Sequence, residues 1–200
     1  EREALPPGFE HWIVKFNVRG EGGESGEREY RYYQTAVSAG VRMEPSRLIE
    51  TKAGRFFATR RFDRTADGRS LHLEDFAAIT GMQGGNSGAK YAGSYQELAD
   101  ALMRASAAPR ADALRLFRMV LLNYLLCNGD AHFKNFALLG DTSRSMVLAP
   151  AYDVMNTRLH VQDADFALDK GLFADARPAA PGSVSPYIGS VFPVFGGICL

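Results

Sequence analysis

Residues 128–135 read Asn128-Gly129-Asp130-Ala131-His132-Phe133-Lys134-Asn135, a run of polar and ionisable side chains directly after the apolar stretch Ala111–Leu126. That stretch has the pattern of a buried helix. Polar groups delivered straight off a buried helix need a purpose, because removing them from water without partners is costly. Asp130 and Asn135 are separated by four residues, the spacing with which phosphoryl-transfer sites hold a proton acceptor and a magnesium ligand on one loop. The pair alone is weak, since Asp and Asn meet at that distance by chance in many chains. Downstream, Phe136–Leu139 and Met146–Ala149 read as a hairpin whose far end leads into Pro150-Ala151-Tyr152-Asp153. Antiparallel pairing then makes Asn135 and Asp153 neighbours.

Upstream, Trp12, Val14, Phe16 and Val18 alternate with Ile13, Lys15 and Asn17, which predicts a strand over 11–18 with Lys15 on the face away from Trp12. After the glycine-rich Gly20–Gly26, a helix is expected over Glu27–Ala39, closed by Gly40. Glu29 shares a side of it with Tyr33 and Ala36, at the margin of the buried face. Arg47–Glu50 and Arg55–Phe62 read as a second hairpin, and Asp63–Gly68 breaks the pattern. The expected organisation is a strand-rich lobe over 1–66, a larger helical lobe over 67–177 that includes helices Tyr95–Ala105 and Ala111–Leu126, and a tail over 178–200. That tail is uncharged and carries Pro178, Pro181, Pro186 and Pro193.

Composition narrows the partners. Lys and Arg number 23 and so do Asp and Glu, so no global basic field draws nucleic acid or an anionic membrane. The two cysteines, Cys127 and Cys199, form no CxxC, which argues against a disulfide scaffold or structural zinc and favours a cytoplasmic setting. The densest apolar run, Met119–Cys127, contains Asn123 and is far shorter than the roughly 20 residues of a membrane span. The chain opens Glu-Arg-Glu without Met, the expectation being a piece of something longer. Only five cations are lysines, so each one invites the question of what Arg could not do there.

Lys15 on a strand, Glu29 on a helix, then Asp130, Asn135 and Asp153 form the part list of a kinase in kinase order. Transfer of a γ-phosphoryl group is mostly positioning and charge neutralisation. Lys15 would hold the α/β-phosphates of ATP, oriented by Glu29, while Asn135 and Asp153 offer hard oxygen ligands for magnesium. Asp130 would take the proton of the attacking hydroxyl, with His132 near enough to touch the transferred phosphate. Plainer readings compete: a solvated Lys15, a surface Glu29, a core His132, and an Asp63 that only caps a turn. Gly20–Gly26 and Gly84–Lys90 lack the Gly-Lys-Ser/Thr ending of a phosphate loop and read as plain loops.

The run Asn128–Asn135 resembles the N-x-D-x-H-x-K-N motif of the HipA family of bacterial toxin kinases. The resemblance extends to Trp12-Ile13-Val14-Lys15-Phe16, Arg61-Phe62-Asp63-Arg64, Pro150-Ala151-Tyr152-Asp153 and Ala167-Leu168 after Asp165. It implies an α+β, two-lobed protein-kinase-like fold, incomplete here for want of the family's small N-terminal domain, glycine-rich loop and last helices. Asp130 and His132 are the implied catalytic residues, Asn135 and Asp153 the metal ligands. Lys15, Glu29, Phe62 against the adenine, Asp63 and Lys134 are implied at the nucleotide. The family implies ATP and magnesium as cofactors and phosphorylation of Ser or Thr on a protein such as a glutamyl-tRNA synthetase. It also implies restraint by a helix-turn-helix antitoxin of HipB type, with neither membrane nor direct nucleic-acid contact. The alternatives are an aminoglycoside- or choline-type phosphotransferase, whose loop starts with His where Asn128 stands, an inactive nucleotide-binding fragment and, more distantly, a metal-dependent hydrolase using Asp130 and His132.

Overall fold

The computed structural model describes residues 5–6, 8–16, 24–82, 89–159 and 166–173. Residues 17–23, 84–88 and 165 and the expected tail 178–200 lie outside the described residues, so the readings made on them are not taken further. The first part of the chain forms β1 (Trp12–Lys15), α1 (Ser25–Ser38), β2 (Ser46–Thr51) and β3 (Gly54–Arg60). The strands pair antiparallel in the order β1-β3-β2, with Lys15 opposite Phe57 and Leu48 opposite Phe57 from the other side. Of the strand predicted over 11–18, the described residues pair from Trp12 to Lys15. Phe16 leaves the ladder and sets its ring edge-on to Phe56 at 5.4 Å, an aromatic contact that offsets the lost pairing.

Helix α1 lies against this sheet because Gly26 has no side chain. A Cβ there would stand 2.8 Å from the Arg55 carbonyl oxygen and 2.9 Å from the Phe57 nitrogen. The helix ends as its glycine predicts: Gly40, at φ 74°, donates to the Val37 carbonyl and Val41 donates to the Ala36 carbonyl, the paired bonds of a Schellman cap. One turn beyond Gly26, Glu29 is carried to the sheet margin while Ala36 is fully buried.

The rest of the chain supplies β4 (His72–Asp75), α2 (Phe76–Ile79), α3 (Tyr95–Ala105), α4 (Pro109–Leu125), β5 (Ala137–Gly140) and β6 (Val147–Leu148). A second antiparallel sheet has the order β4-β5-β6. The hairpin β5-β6 was legible in the sequence. Strand β4 was not, because its four residues carry no alternation and its partner among the described residues, β5, lies far downstream. Helix α3 starts with a full capping box between Ser94 and Glu97. Helix α4 was expected to be buried all round, yet Leu121 is 36% and Leu125 67% exposed. Its core face is the stripe Leu116, Met119, Leu122 and Asn123, recurring at helical spacing.

Phe76, Leu98, Leu102, Leu116, Phe133 and Leu148 form the centre of the core. Asp112, fully buried on α4, accepts from the Leu148 amide at 2.8 Å, the Ser106 hydroxyl at 2.6 Å and the Arg115 guanidinium at 2.8 Å. It thereby ties α4 to β6. A short backbone link joins the two halves of the chain. The Ala151 amide donates to the Arg42 carbonyl at 2.8 Å, and Met43 and Ala151 form an isolated parallel bridge. This brings the segment carrying Asp153 under the loop that follows α1. Among the described residues no helix is long and apolar enough to cross a membrane.

Gly26→Ala is predicted to force α1 off β3, because both atoms in the way belong to the backbone. We expect a loss of about 1–3 kcal/mol and a melting temperature lower by several degrees in a thermal unfolding scan.

Candidate functional site

Lys15 stands at the last position of β1, and its ammonium is held at 2.5 Å by Glu29 Oε1 and at 2.5 Å by Asp153 Oδ1. The three residues come from a strand, a helix and an extended segment far apart in the chain. Burial opposes the charge on Lys15, but Asp153 and Glu29 outweigh it and hold the ammonium above its ordinary pKa. Burial pushes the Glu29 carboxyl up, against the pull of Lys15. Asp153 adopts φ 53°, a left-handed conformation that a non-glycine residue takes only where its surroundings impose it. Its side chain is 49% exposed and so accessible to a cation from solvent.

The loop 127–132 is built from hydrogen bonds. Cys127, at φ 55°, occupies the position after α4 where glycine is usual, and the amides of Cys127 and Asn128 return to the carbonyls of Tyr124 and Asn123. Asn128 is buried. It donates to Asn123 Oδ1 at 2.8 Å and to the Asp153 carbonyl at 3.2 Å, and accepts from the Asp130 amide at 3.2 Å. One amide therefore joins α4, the Asp130 turn and the Asp153 segment. Asn123, the polar interruption in the apolar run, is the anchor on the helix side and also donates to the Met119 carbonyl. Thr157 accepts from the Gly129 amide at 2.8 Å, and the Tyr95 hydroxyl donates to the Ala131 carbonyl at 2.7 Å. Asn135 Oδ1 accepts from the His132 amide at 3.1 Å.

Asp130 itself is 46% exposed. Its Oδ1 accepts from the Tyr91 hydroxyl at 2.5 Å and faces Lys90 Nζ and His132 Nε2, each at 3.6 Å. Burial, then the hydrogen bond to Asp130, raises the Tyr91 pKa, so the phenol remains a donor. The imidazole of His132 is buried, with the Tyr91 ring edge-on at 5.1 Å, and burial lowers its pKa, keeping it neutral. The sequence reading put His132 near enough to touch a transferred phosphate; the structure places its Nε2 3.6 Å from Asp130 Oδ1.

The sequence-predicted residues thus gather into two groups, Lys15 with Glu29 and Asp153, and Asp130 with His132. Asn128 links them. The Tyr152 hydroxyl donates to the Lys134 carbonyl at 2.8 Å, which ties the stretch just before Asn135 to the residue just before Asp153. The Lys134 side chain is exposed. Phe62 packs on Tyr152 at 5.6 Å and beside Ala137, Leu139 and Ala149. It also lines a hollow of 270 Å³ with His11, Arg60, Arg61 and Arg64. Asp63 is clasped by Arg61 at 2.5 Å and Arg64 at 2.6 Å, and the Arg61 hydrogen bond holds its carboxyl below the usual range. Its contacts are those of a turn stabiliser. Tyr91, Lys90, Tyr95 and Thr157 were missed from the sequence. Lys90, one of five lysines, carried a signal of scarcity but lay at the end of a glycine run read as a plain loop. Among the described residues no three His, Cys, Asp or Glu side chains form a metal cluster.

The model of the HipA-like C-terminal domain family matches residues 2–177. Two Sinorhizobium fredii proteins, named "Putative kinase Y4dM" and "Putative kinase Y4mE", are 29% identical over 168 residues and 31% identical over 136 residues. These alignments cover 78% and 66% of this chain but 40% and 32% of those proteins. The chain therefore spans well under half the length of these relatives. Among solved structures, HipA of Shewanella oneidensis, determined as a toxin-antitoxin complex with HipB and operator DNA, superposes with TM-score 0.64 at 21% identity. That match covers 78% of this chain and 40% of HipA. The Helicobacter pylori proinflammatory kinase CtkA gives TM-score 0.58 at 21% identity, covering 76% of this chain and 51% of CtkA. The fold is accordingly the α+β, kinase-like one expected from the sequence.

Asn128→Ala is predicted to cost about 2–3 kcal/mol, because it strands the buried Asn123 Oδ1 and removes the bonds to the Asp130 amide and the Asp153 carbonyl. Urea unfolding measures this as a lower midpoint at unchanged slope.

Proposed function

Because this chain belongs to the family of HipA-like C-terminal domains, we propose that it carries the phosphoryl-transfer site of a protein kinase, using ATP and magnesium to phosphorylate Ser or Thr on a protein. The observation that carries this reading is the double engagement of Lys15 by Glu29 and Asp153 at 2.5 Å each. A cation fixed between a helix carboxylate and an exposed carboxylate is the arrangement a polyphosphate site needs. The donor set suits magnesium: the Asp153 carboxylate and the Asn135 side-chain carbonyl are hard oxygen ligands, as this ion prefers. Magnesium bound there would neutralise phosphate charge.

The remaining work falls to side chains. Lys15 binds the α/β-phosphates, and Glu29 keeps the ammonium aimed at them. Asp130 accepts the proton of the Ser or Thr hydroxyl on its carboxylate as that oxygen attacks. His132, buried and 3.6 Å from Asp130 Oδ1, is the residue proposed to lie near the transferred phosphate. Phe62 is the residue proposed to border the adenine, and Lys134 is a candidate for phosphate contact. The whole protein is read as the toxin kinase of a cytoplasmic HipA-type toxin-antitoxin pair. Its proposed antitoxin partner is a helix-turn-helix protein of HipB type, and its proposed substrate resembles a glutamyl-tRNA synthetase.

Asp130→Asn keeps the shape of the side chain and removes its capacity to take a proton. Incorporation of labelled phosphate from magnesium-ATP into protein is expected to fall by about 10²- to 10⁴-fold. Undiminished incorporation would overturn the assignment of Asp130. Transfer to an aminoglycoside with none to protein would replace the substrate class.

A further inference from the structure

Three side chains converge on one oxygen of Asp130, and one of them, Tyr91, donates a hydrogen bond to it. The Tyr91 hydroxyl, Lys90 Nζ and His132 Nε2 all address Oδ1, at 2.5, 3.6 and 3.6 Å. Two of the three belong to the single 3-10 turn Ala89–Tyr91, which the kinase reading leaves without a task. That turn is anchored independently of Asp130. The Tyr91 carbonyl accepts from the Asp169 amide at 2.9 Å, and Asp169 Oδ1 accepts from the Gly93 amide at 2.8 Å. The Tyr91 ring packs edge-on against the buried His132, and Lys90 Nζ lies 4.7 Å from the ring centroid. The phenol is thus a fixed donor.

An aspartate carboxylate rotates easily about its last bond, because that torsion has broad wells, and Asp130 is nearly half exposed. A donor locked onto Oδ1 restricts this rotation and assigns the two oxygens different roles. We propose that Tyr91 is a positioning residue for phosphoryl transfer, its hydroxyl holding Asp130 through Oδ1 so that Oδ2 is the oxygen that meets the acceptor hydroxyl. This rests on the reading of Asp130 as proton acceptor. It competes with one other account of the same geometry, in which the phenol occupies the place of the acceptor hydroxyl and blocks the site. The anchoring favours positioning, since a block has to leave and Tyr91 is held by backbone and ring contacts that do not involve Asp130.

The two accounts predict opposite signs for Tyr91→Phe, which removes only the hydroxyl. The test measures initial rates of phosphate incorporation from magnesium-ATP with the full chain, for wild type, Tyr91→Phe, Asp130→Asn and the double variant. Positioning predicts that Tyr91→Phe lowers kcat by roughly tenfold or more while KM for ATP and the melting temperature stay close to wild type. In the Asp130→Asn background the same change should alter the residual rate less than about twofold, because residues acting as a unit are not additive. An unchanged or faster rate in Tyr91→Phe overturns the proposal. So does an equal fold-loss in both backgrounds, which would mark a general structural effect. The Asp130→Asn arm reports separately on the underlying reading: a wild-type rate there removes the proton acceptor, whatever Tyr91→Phe does.

Discussion

One ammonium between two carboxylates organises this molecule. Lys15 carries a single positive charge against Glu29 and Asp153, so bringing the three together leaves one negative charge in excess at a half-buried place. Such a surplus is stabilising only toward something cationic. The rest of the architecture serves that meeting. Gly26 lets α1 lie close enough to β3 for Glu29 to reach the end of β1. The hydrogen bond from Ala151 to Arg42 brings the second half of the chain up to the first. Asp153 accepts a left-handed backbone to complete the arrangement. A guanidinium in place of the ammonium would be planar and broader, with its donors fixed in a fork. A compact point charge fits between two carboxylates on different elements.

The loop carrying Asp130 is secured in another way. It has little apolar surface of its own, and its backbone is held by hydrogen bonds from the Asp130 amide to Asn128, from the Gly129 amide to Thr157 and from the Tyr95 hydroxyl to the Ala131 carbonyl. Buried polar networks of this kind specify one conformation when every member is satisfied. Asn128 is the central member because its amide reaches both the Asp130 turn and the Asp153 segment. A substitution there disturbs both groups of the site at once, although Asn128 touches neither the Lys15 ammonium nor the Asp130 carboxylate.

Much of this was legible in the sequence, and the limits follow from physics. Local patterns carry local structure: the alternation around Lys15, the glycine after α1 and the apolar spacing of α3 each led to an element within a few residues of where it lies. The order of Lys15, Glu29, Asp130, Asn135 and Asp153 pointed to a shared site because chemistry constrains residue types more tightly than it constrains spacing. Strand β4 escaped because a four-residue strand is defined by its partner rather than by its own residues. Tyr91 and Lys90 escaped for a related reason. Their role depends on where a short turn docks, and that docking involves Asp169, whose amide binds the Tyr91 carbonyl and which is remote in sequence. The outward side of α4 was misjudged because a helix can be apolar in composition and still cover only one face of a core.

The central claim is that Lys15, held by Glu29 and Asp153, forms a nucleotide phosphate site. Isothermal titration of magnesium-ATP into the wild-type chain and into Lys15→Met tests it most directly. Binding by the wild type, weakened about tenfold or more in Lys15→Met as expected for loss of a charge-assisted contact, is the predicted result. Equal affinity in the two proteins would contradict the account.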